Sequence, residues 1–196
     1  SASDWLNKAG VLLGPYVFRS YEHFNNLKKA DFYPQLKHEI GDAVGVHQFD
    51  HYNFGFRHLT ANKEITKLDD FAGLVLRCVD FPPYSELKTI FNVNITAIPI
   101  GDVYMALQTG VADCEENPVT QIVTMKFYEV QKYLMLSAHM LAVSGTVMSK
   151  TAWDGLTADE QAILEEVFTF EANRICELVE QNEEALIKQC EENGMT

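Results

Sequence analysis

Positive charge is scarce in this sequence: 15 lysines and arginines stand against 28 acidic residues, a formal net charge of −13 over 196 residues. With no basic patch to neutralise phosphates, nucleic acid and anionic membrane surfaces are excluded as partners. No apolar run approaches the ~20 residues that a helix needs to span a bilayer. The opening SASDWLNKAG lacks the basic start and apolar block of a secretory leader. There is no G-x-G-x-x-G, no phosphate loop and no nucleophile elbow, so the sequence offers no cofactor loop and no activated nucleophile, and no cofactor is expected. The four cysteines (Cys78, Cys114, Cys176 and Cys190) form no C-x-x-C pair and no metal-ligand spacing. Cys176 and Cys190 fall on one predicted helix, ~21 Å apart at ~1.5 Å per residue, and cannot pair. Cys78 and Cys114 both follow predicted strands, so a disulfide between them is conceivable, although a buried free thiol is the commoner fate.

What is present suits a globular α/β protein. Hydrophobic residues make up 47% of the chain, enough for one large core or two modest ones. The organising stretch is 73–127. Leu74, Val75, Leu76 and Val79 read as a buried parallel strand, stopped by Pro82 and Pro83, and residues 95–100 form a second strand. Asp102 suits a helix N-cap and Gly110 a helix stop; a third short strand at 111–114 then leads to a helix opened by Asn117 and Pro118. Three strand-to-helix joints therefore gather at one sheet edge, where open α/β sheets bind ligands.

One arginine, Arg77, falls near the end of the first of these strands. A buried guanidinium needs a carboxylate, and its planar fork matches one bidentately. The acid could be internal (Asp80 or Glu115) or could belong to a ligand; residue type alone leaves both open. A second arginine, Arg57, lies in an alternating, aromatic-rich segment from Val46 to Thr60 that reads as a long strand; it could equally be a surface arginine on a half-exposed strand.

LVLRCV (74–79), DVYMALQTGVADCEENP (102–118) and KFYEVQKYL (126–134) together resemble the solute-binding proteins of TRAP (tripartite ATP-independent periplasmic) transporters, of the dicarboxylate-binding type. The resemblance runs, more weakly, along essentially the whole chain, and it implies several things. The fold would be α/β, a periplasmic-binding-protein-like two-lobed fold with mixed, mainly parallel sheets and a long C-terminal helix, incomplete at both ends as an internal piece of a longer protein. Lobe I would comprise 1–56 and 143–181, and lobe II 57–142 and 182–196, with the long helix bridging them. Arg77 would clamp a ligand carboxylate, assisted by Arg57 of Gly55-Phe56-Arg57, with Asn117 of the E-N-P run and Asp80 also at the site. Ile100 stands where relatives often carry an aromatic residue, which implies a pocket floor less suited to stacking. Ser144 and Thr146 would line the cleft. The partners implied are a small organic acid and the membrane subunits of a TRAP transporter, the protein being a periplasmic monomer and no enzyme.

Ser20 suits the cap of a helix carrying Phe24 and Leu27, preceded by an extended piece at 16–19. Residues 33–44 place Leu36, Ile40 and Val44 on one stripe, ended by Gly45. His47, Asp50 and His51 tempt as a metal trio, but on a strand residues four apart lie ~13 Å apart. Asp113, Glu115 and Glu116 have no nucleophile or leaving-group donor beside them and are expected to be solvated or arginine-paired. Residues 130–136 and 138–148 read as a strand pair. Thr157 and Glu160 form a capping box that opens a helix running to Asn193, with Gly194 as its stop. Ile163, Val167, Leu178 and further apolar positions are expected to keep one face buried, and twelve acidic residues against Arg174 and Lys188 give the segment 154–196 a charge of −10. Two rivals to ligand capture remain from the residues: a doubly wound α/β enzyme acting on a carboxylate substrate, and an interaction module built on the acidic helix.

Overall fold

The computed structural model describes Gly10, residues 12–79, Tyr84 and residues 86–196. Asp80, Pro82 and Pro83 lie outside the described residues, as does most of the opening segment. The chain divides into two compact units: Ser1–Gly55 with Leu141–Gln181, and Phe56–Met140 with Asn182–Thr196. No helix among the described residues is long and apolar enough to cross a membrane.

The first unit carries α1 (Tyr21–Lys28), α2 (Tyr33–Val44), the first part of β1 (Val46–Ala61), the last part of β5 (Tyr133–Ser149), α6 (Lys150–Asp154) and most of α7 (Ala158–Glu192). Ser20 caps α1, its Oγ accepting the His23 N–H at 3.1 Å. Gly45 ends α2 at φ +76°, a left-handed conformation in which a Cβ would be strained. The core of the unit is aromatic. Phe49 packs against Trp153 and Phe168, with ring centroids 5.6 and 4.3 Å away, and Phe24 meets Phe18 edge-on at 5.3 Å. The extended piece expected at 16–19 is a turn instead, with Tyr16 at φ +56° just after Pro15.

The second unit carries the rest of β1 and β5 together with β2 (Val75–Cys78), α3 (Leu87–Phe91), β3 (Asn94–Ala97), α4 (Val103–Thr109), β4 (Cys114–Pro118) and α5 (Val119–Thr124). The five strands hydrogen-bond in the order β3-β2-β4-β1-β5. β2 pairs parallel with both β3 and β4, whereas β1 pairs antiparallel with β4. The carboxyl ends of β2, β3 and β4 therefore point the same way, as the strand-to-helix joints require. Two apolar clusters hold the unit together. One gathers Leu59, Leu76, Leu87, Phe91 and Met140; the other gathers Val103, Leu107, Ile122, Phe127 and Cys190.

Several elements differ from the sequence reading. The third strand runs 114–118 rather than 111–114, so Glu115, Glu116 and Asn117 lie inside it and are buried. Two adjacent glutamates and an asparagine read as a loop unless their partners are known. Asp102 precedes α4 as its N-cap but makes no side-chain capping bond. The expected strand pair is one long strand, β5, which passes through Ala138 at φ +43°, its N–H donating to His58 Nδ1 at 3.2 Å. The capping box of α7 forms as read: Glu160 N–H donates to Thr157 Oγ1 at 3.3 Å, and Thr157 N–H donates to Glu160 Oε2 at 2.8 Å. The face of α7 does not stay buried throughout. Ile163, Val167, Phe170 and Leu178 are exposed, and the buried positions are Ala172, Cys176 and Cys190. The apolar residues of α7 drift around more than one face: Phe168 packs on Phe49 and Leu186 and Ile187 on the second cluster, while others meet no core among the described residues. All four cysteines are buried and none is disulfide-bonded, so Cys78 and Cys114 are not bridged.

Candidate functional site

β4 lies between β2 and β1, and its register brings the charged residues of the second unit together. Arg77 on β2 stands opposite Glu115, while Thr60 on β1 faces Glu115 from the other side and Arg57 faces Pro118. Both arginines are buried, Arg57 at 7% exposure and Arg77 at 2%, but their partners differ in kind.

Arg57 is committed to the protein. Its Nε donates to Glu116 Oε2, and its Nη2 donates to Glu116 Oε1 at 2.8 Å, to the Glu116 carbonyl at 2.7 Å and to Asn117 Oδ1 at 3.0 Å. Tyr84 presents its ring 5.0 Å from the guanidinium carbon. Burial disfavours the Arg57 charge, but Glu116 more than offsets it and holds the guanidinium above its ordinary range. Glu116 is itself fully buried. Burial pushes its carboxyl up, Arg57 pulls it down, and the net displacement is downward, so Glu116 is ionised. His139 Nε2 approaches Glu116 Oε2 at 3.5 Å, beyond an ordinary hydrogen bond.

Arg77 is held differently. Nε and Nη2 both donate to one backbone carbonyl, that of Ile98, at 2.8 and 2.7 Å, while Nη1 is buried without a hydrogen-bond partner among the described residues. No ion pair to Arg77 forms among the described residues; Glu115 and Glu116 are close enough to pull its proton affinity up, though burial wins and lowers it. The result is a cation anchored by its edge at the carboxyl end of β3, with one donor left over. An orphaned buried donor costs about 1–3 kcal/mol, so it calls for an acceptor from outside.

Asn117 joins the two halves of the cluster. Its Oδ1 accepts from Arg57 and its Nδ2 donates to Glu115 Oε2 at 2.6 Å. Glu115 also meets Thr60 Oγ1 at 3.0 Å through Oε1, and burial pushes its carboxyl up to about 7.

The sequence-read residues thus separate. Arg57, Arg77 and Asn117 share the cluster. Ile100 is exposed in a 3-10 turn (Ile100–Asp102) after β3. Ser144 and Thr146 belong to the first unit, half-buried on β5, where the Thr146 carbonyl accepts from Gln48 Nε2 at 3.1 Å. Asp80 lies outside the described residues. His47, Asp50 and His51 do not converge: His47 bonds Glu165 at 2.8 Å, Asp50 takes Lys37 at 2.9 Å, and His51 Nδ1 pairs with the Tyr33 hydroxyl at 3.0 Å. No group of acids, histidines and cysteines among the described residues could hold a metal ion. The sequence reading missed Thr60, Gln131, Tyr84 and His139. The available signal was a count: two buried arginines facing two adjacent glutamates imply a closed polar cluster.

Against known proteins, the family model for bacterial extracellular solute-binding proteins, family 7 (DctP), matches residues 2–196. The C4-dicarboxylate-binding periplasmic protein DctP of Rhodobacter capsulatus is 33% identical over 175 residues, 88% of this chain and 52% of that protein. The sialic acid-binding periplasmic protein SiaP of Vibrio cholerae is 29% identical over 161 residues, 82% of this chain and 50% of that one. Among solved structures, a TRAP periplasmic solute-binding protein from Polaromonas bound to D-erythronate superposes with a TM-score of 0.90 at 26% identity, covering all of this chain and 64% of its own. The chain spans about half the length of the curated relatives it matches.

Proposed function

We propose, from the premise that the chain belongs to the bacterial extracellular solute-binding proteins of family 7, that it captures a small organic acid and delivers it to the membrane subunits of a TRAP-type transporter. Capture is the whole activity: the family binds solutes, and the carboxylates of the site are engaged with the protein rather than poised beside a nucleophile. The observation that carries the reading is Arg77, a buried cation with an unpartnered Nη1 at the carboxyl end of parallel strands. A ligand carboxylate supplies the missing acceptor. Each charge-assisted bond of this kind is worth about 1.5–3 kcal/mol. Asn117, held in one orientation by Arg57 and Glu115, offers its remaining N–H to a neighbouring ligand oxygen. Arg57 serves by fixing Asn117 and neutralising Glu116. Ile100, exposed in the turn after β3, adds an apolar side chain to the lining, and the loaded form is what the transporter receives.

The relatives named above are periplasmic by name, and this protein acts in the same compartment, as a monomer. The class of ligand is a carboxylate; relatives bind C4-dicarboxylates, sialic acid and D-erythronate. A thermal-shift screen against dicarboxylates, 2-oxo acids, sugar acids and aromatic acids, repeated on Arg77→Met, tests the reading. Stabilisation by at least one acid that disappears in the variant is the expected result; equal response of both proteins would overturn the clamp.

A further inference from the structure

Beneath the clamp, the hydrogens do not add up if every acid is ionised. Thr60 Oγ1 lies 3.0 Å from Glu115 Oε1 and 3.1 Å from Gln131 Oε1. A hydroxyl carries one proton, so it cannot donate to both oxygens. The Gln131 amide is oriented oxygen-first towards Thr60, because its nitrogen donates to the carbonyls of Val130 at 3.2 Å and Asp113 at 3.4 Å. All three side chains are buried. With Glu115 ionised, one carbonyl-type oxygen among them faces another acceptor with nothing between them. With a proton on Oε1, the chain closes: Glu115 donates to Thr60, Thr60 donates to Gln131, and Oε2 still accepts from Asn117 at 2.6 Å.

In the free protein the charges oppose that proton. Arg57 and Glu116 neutralise one another, and Arg77 is left as a cation whose donors go to the Ile98 carbonyl. We propose that Glu115 is a proton-carrying positioning residue whose protonation is coupled to capture: an anion seated on Arg77 draws one proton from solvent onto Glu115. This rests on the reading of Arg77 as the clamp. The physical link is that the Arg77 charge favours the ionised form of Glu115, and a bound carboxylate cancels that charge. The other charged and titratable groups around Glu115 are Arg57 on β1, which pulls its proton affinity down, Glu116 on the same strand, which pushes it up, and the neighbouring Cys114 thiol, which Glu115 in turn pushes up. His139 on β5 acts through Glu116. In the free protein burial leaves the carboxyl half-titrated near neutral pH, where a change in one neighbouring charge has the largest effect on its occupancy.

The coupling makes capture weaken as pH rises above neutral, by up to about tenfold per pH unit until the bound form also loses its proton. Glu115→Gln mimics the protonated state, since the amide nitrogen can donate to Thr60 and the amide oxygen can accept from Asn117. The test is the infrared carbonyl band of a protonated carboxyl, followed against pH in the wild type, Glu115→Gln and Arg77→Met, with D-erythronate and succinate as probes. Expected are a band at pH 6 that Glu115→Gln removes, a wild-type midpoint near 7, and a proton affinity at least about tenfold higher in Arg77→Met and in any complex that forms. Absence of a Glu115-dependent band at pH 6, an unchanged midpoint in Arg77→Met, or a bound acid that leaves the band unmoved would each overturn the proposal. If Arg77→Met moves the band while neither acid binds, the coupling stands and the capture reading fails for those acids.

Discussion

Arg57 Nη2 donates to Asn117 Oδ1 at 3.0 Å, and so a cation that serves the protein's interior decides which way a site amide points. The same guanidinium forks onto Glu116, whose carboxylate is fully buried. Removing one partner of a buried pair leaves an uncompensated charge, which costs about 3–5 kcal/mol. Arg57→Met is therefore expected to lower stability by that amount in urea denaturation, and adding Glu116→Gln should recover much of the loss. A variant as stable as the wild type would show that the pair is not holding the strands.

Arg77→Met is expected to behave in the opposite way. Among the described residues its Nη1 has no partner, so relief of that buried donor offsets the loss of the two bonds to the Ile98 carbonyl and leaves stability in urea close to that of the wild type. Affinity for organic acids should fall by far more than tenfold, because even one lost charge-assisted bond is worth about 1.5–3 kcal/mol and tenfold is about 1.4 kcal/mol. Calorimetry on the two proteins separates a clamp from a structural arginine: a structural one would lose stability and leave affinity alone.

The contrast between these two arginines was not legible in the sequence, where Arg77 had an even choice between a ligand and an internal acid, and Arg57 one between a ligand and the protein surface. Strand order decides it. β4 lies between β2 and β1, which puts Glu116 within the fork of Arg57 and leaves Arg77 with a backbone carbonyl. Local signals with a local cause were readable: the Ser20 cap, the Gly45 stop and the Thr157–Glu160 box each depend on residues within four positions. The frame of β4 was not, because Glu115 and Glu116 are tolerated in a strand only through partners 38 to 59 residues away, Arg77, Thr60 and Arg57. The exposed apolar positions of α7 were misread for a related reason, since helical spacing shows that a face exists and not what covers it.

Gly41 is a second test of packing in the first unit. A Cβ there would fall 2.6 Å from the Val46 carbonyl oxygen and 3.2 Å from the Gln48 nitrogen, both backbone atoms that cannot turn aside. Gly41→Ala should therefore cost about 1–3 kcal/mol by thermal or urea unfolding, despite the better helix propensity of alanine. Stabilisation would mean that α2 and the start of β1 have room to separate.

Two buried groups with opposite displacements set the pH dependence of stability. Glu115 titrates near 7 in the folded chain against an ordinary 4.5, chiefly through burial. A carboxyl raised in this way contributes its stability in full below about 4.5 and loses it as pH climbs to about 7, a change of about 3 kcal/mol. His51 is lowered to about 4 from 6.5, again mainly by burial, with Lys37 and Lys28 assisting against Asp50. Its contribution is present above about 6.5 and is lost as pH falls to about 4, by a similar amount. Between about 4.5 and 6.5 the two slopes oppose each other. Glu115→Gln removes one of them, and every other group titrates in both proteins, so the difference between variant and wild type is the readout. Measured by urea denaturation at several pH values, Glu115→Gln should gain about 3 kcal/mol relative to the wild type on going from pH 4.5 to pH 7.5. A difference that stays constant over that range would mean that Glu115 is ionised at the same pH in the folded and unfolded chain, and that the Thr60–Gln131 chain holds no proton.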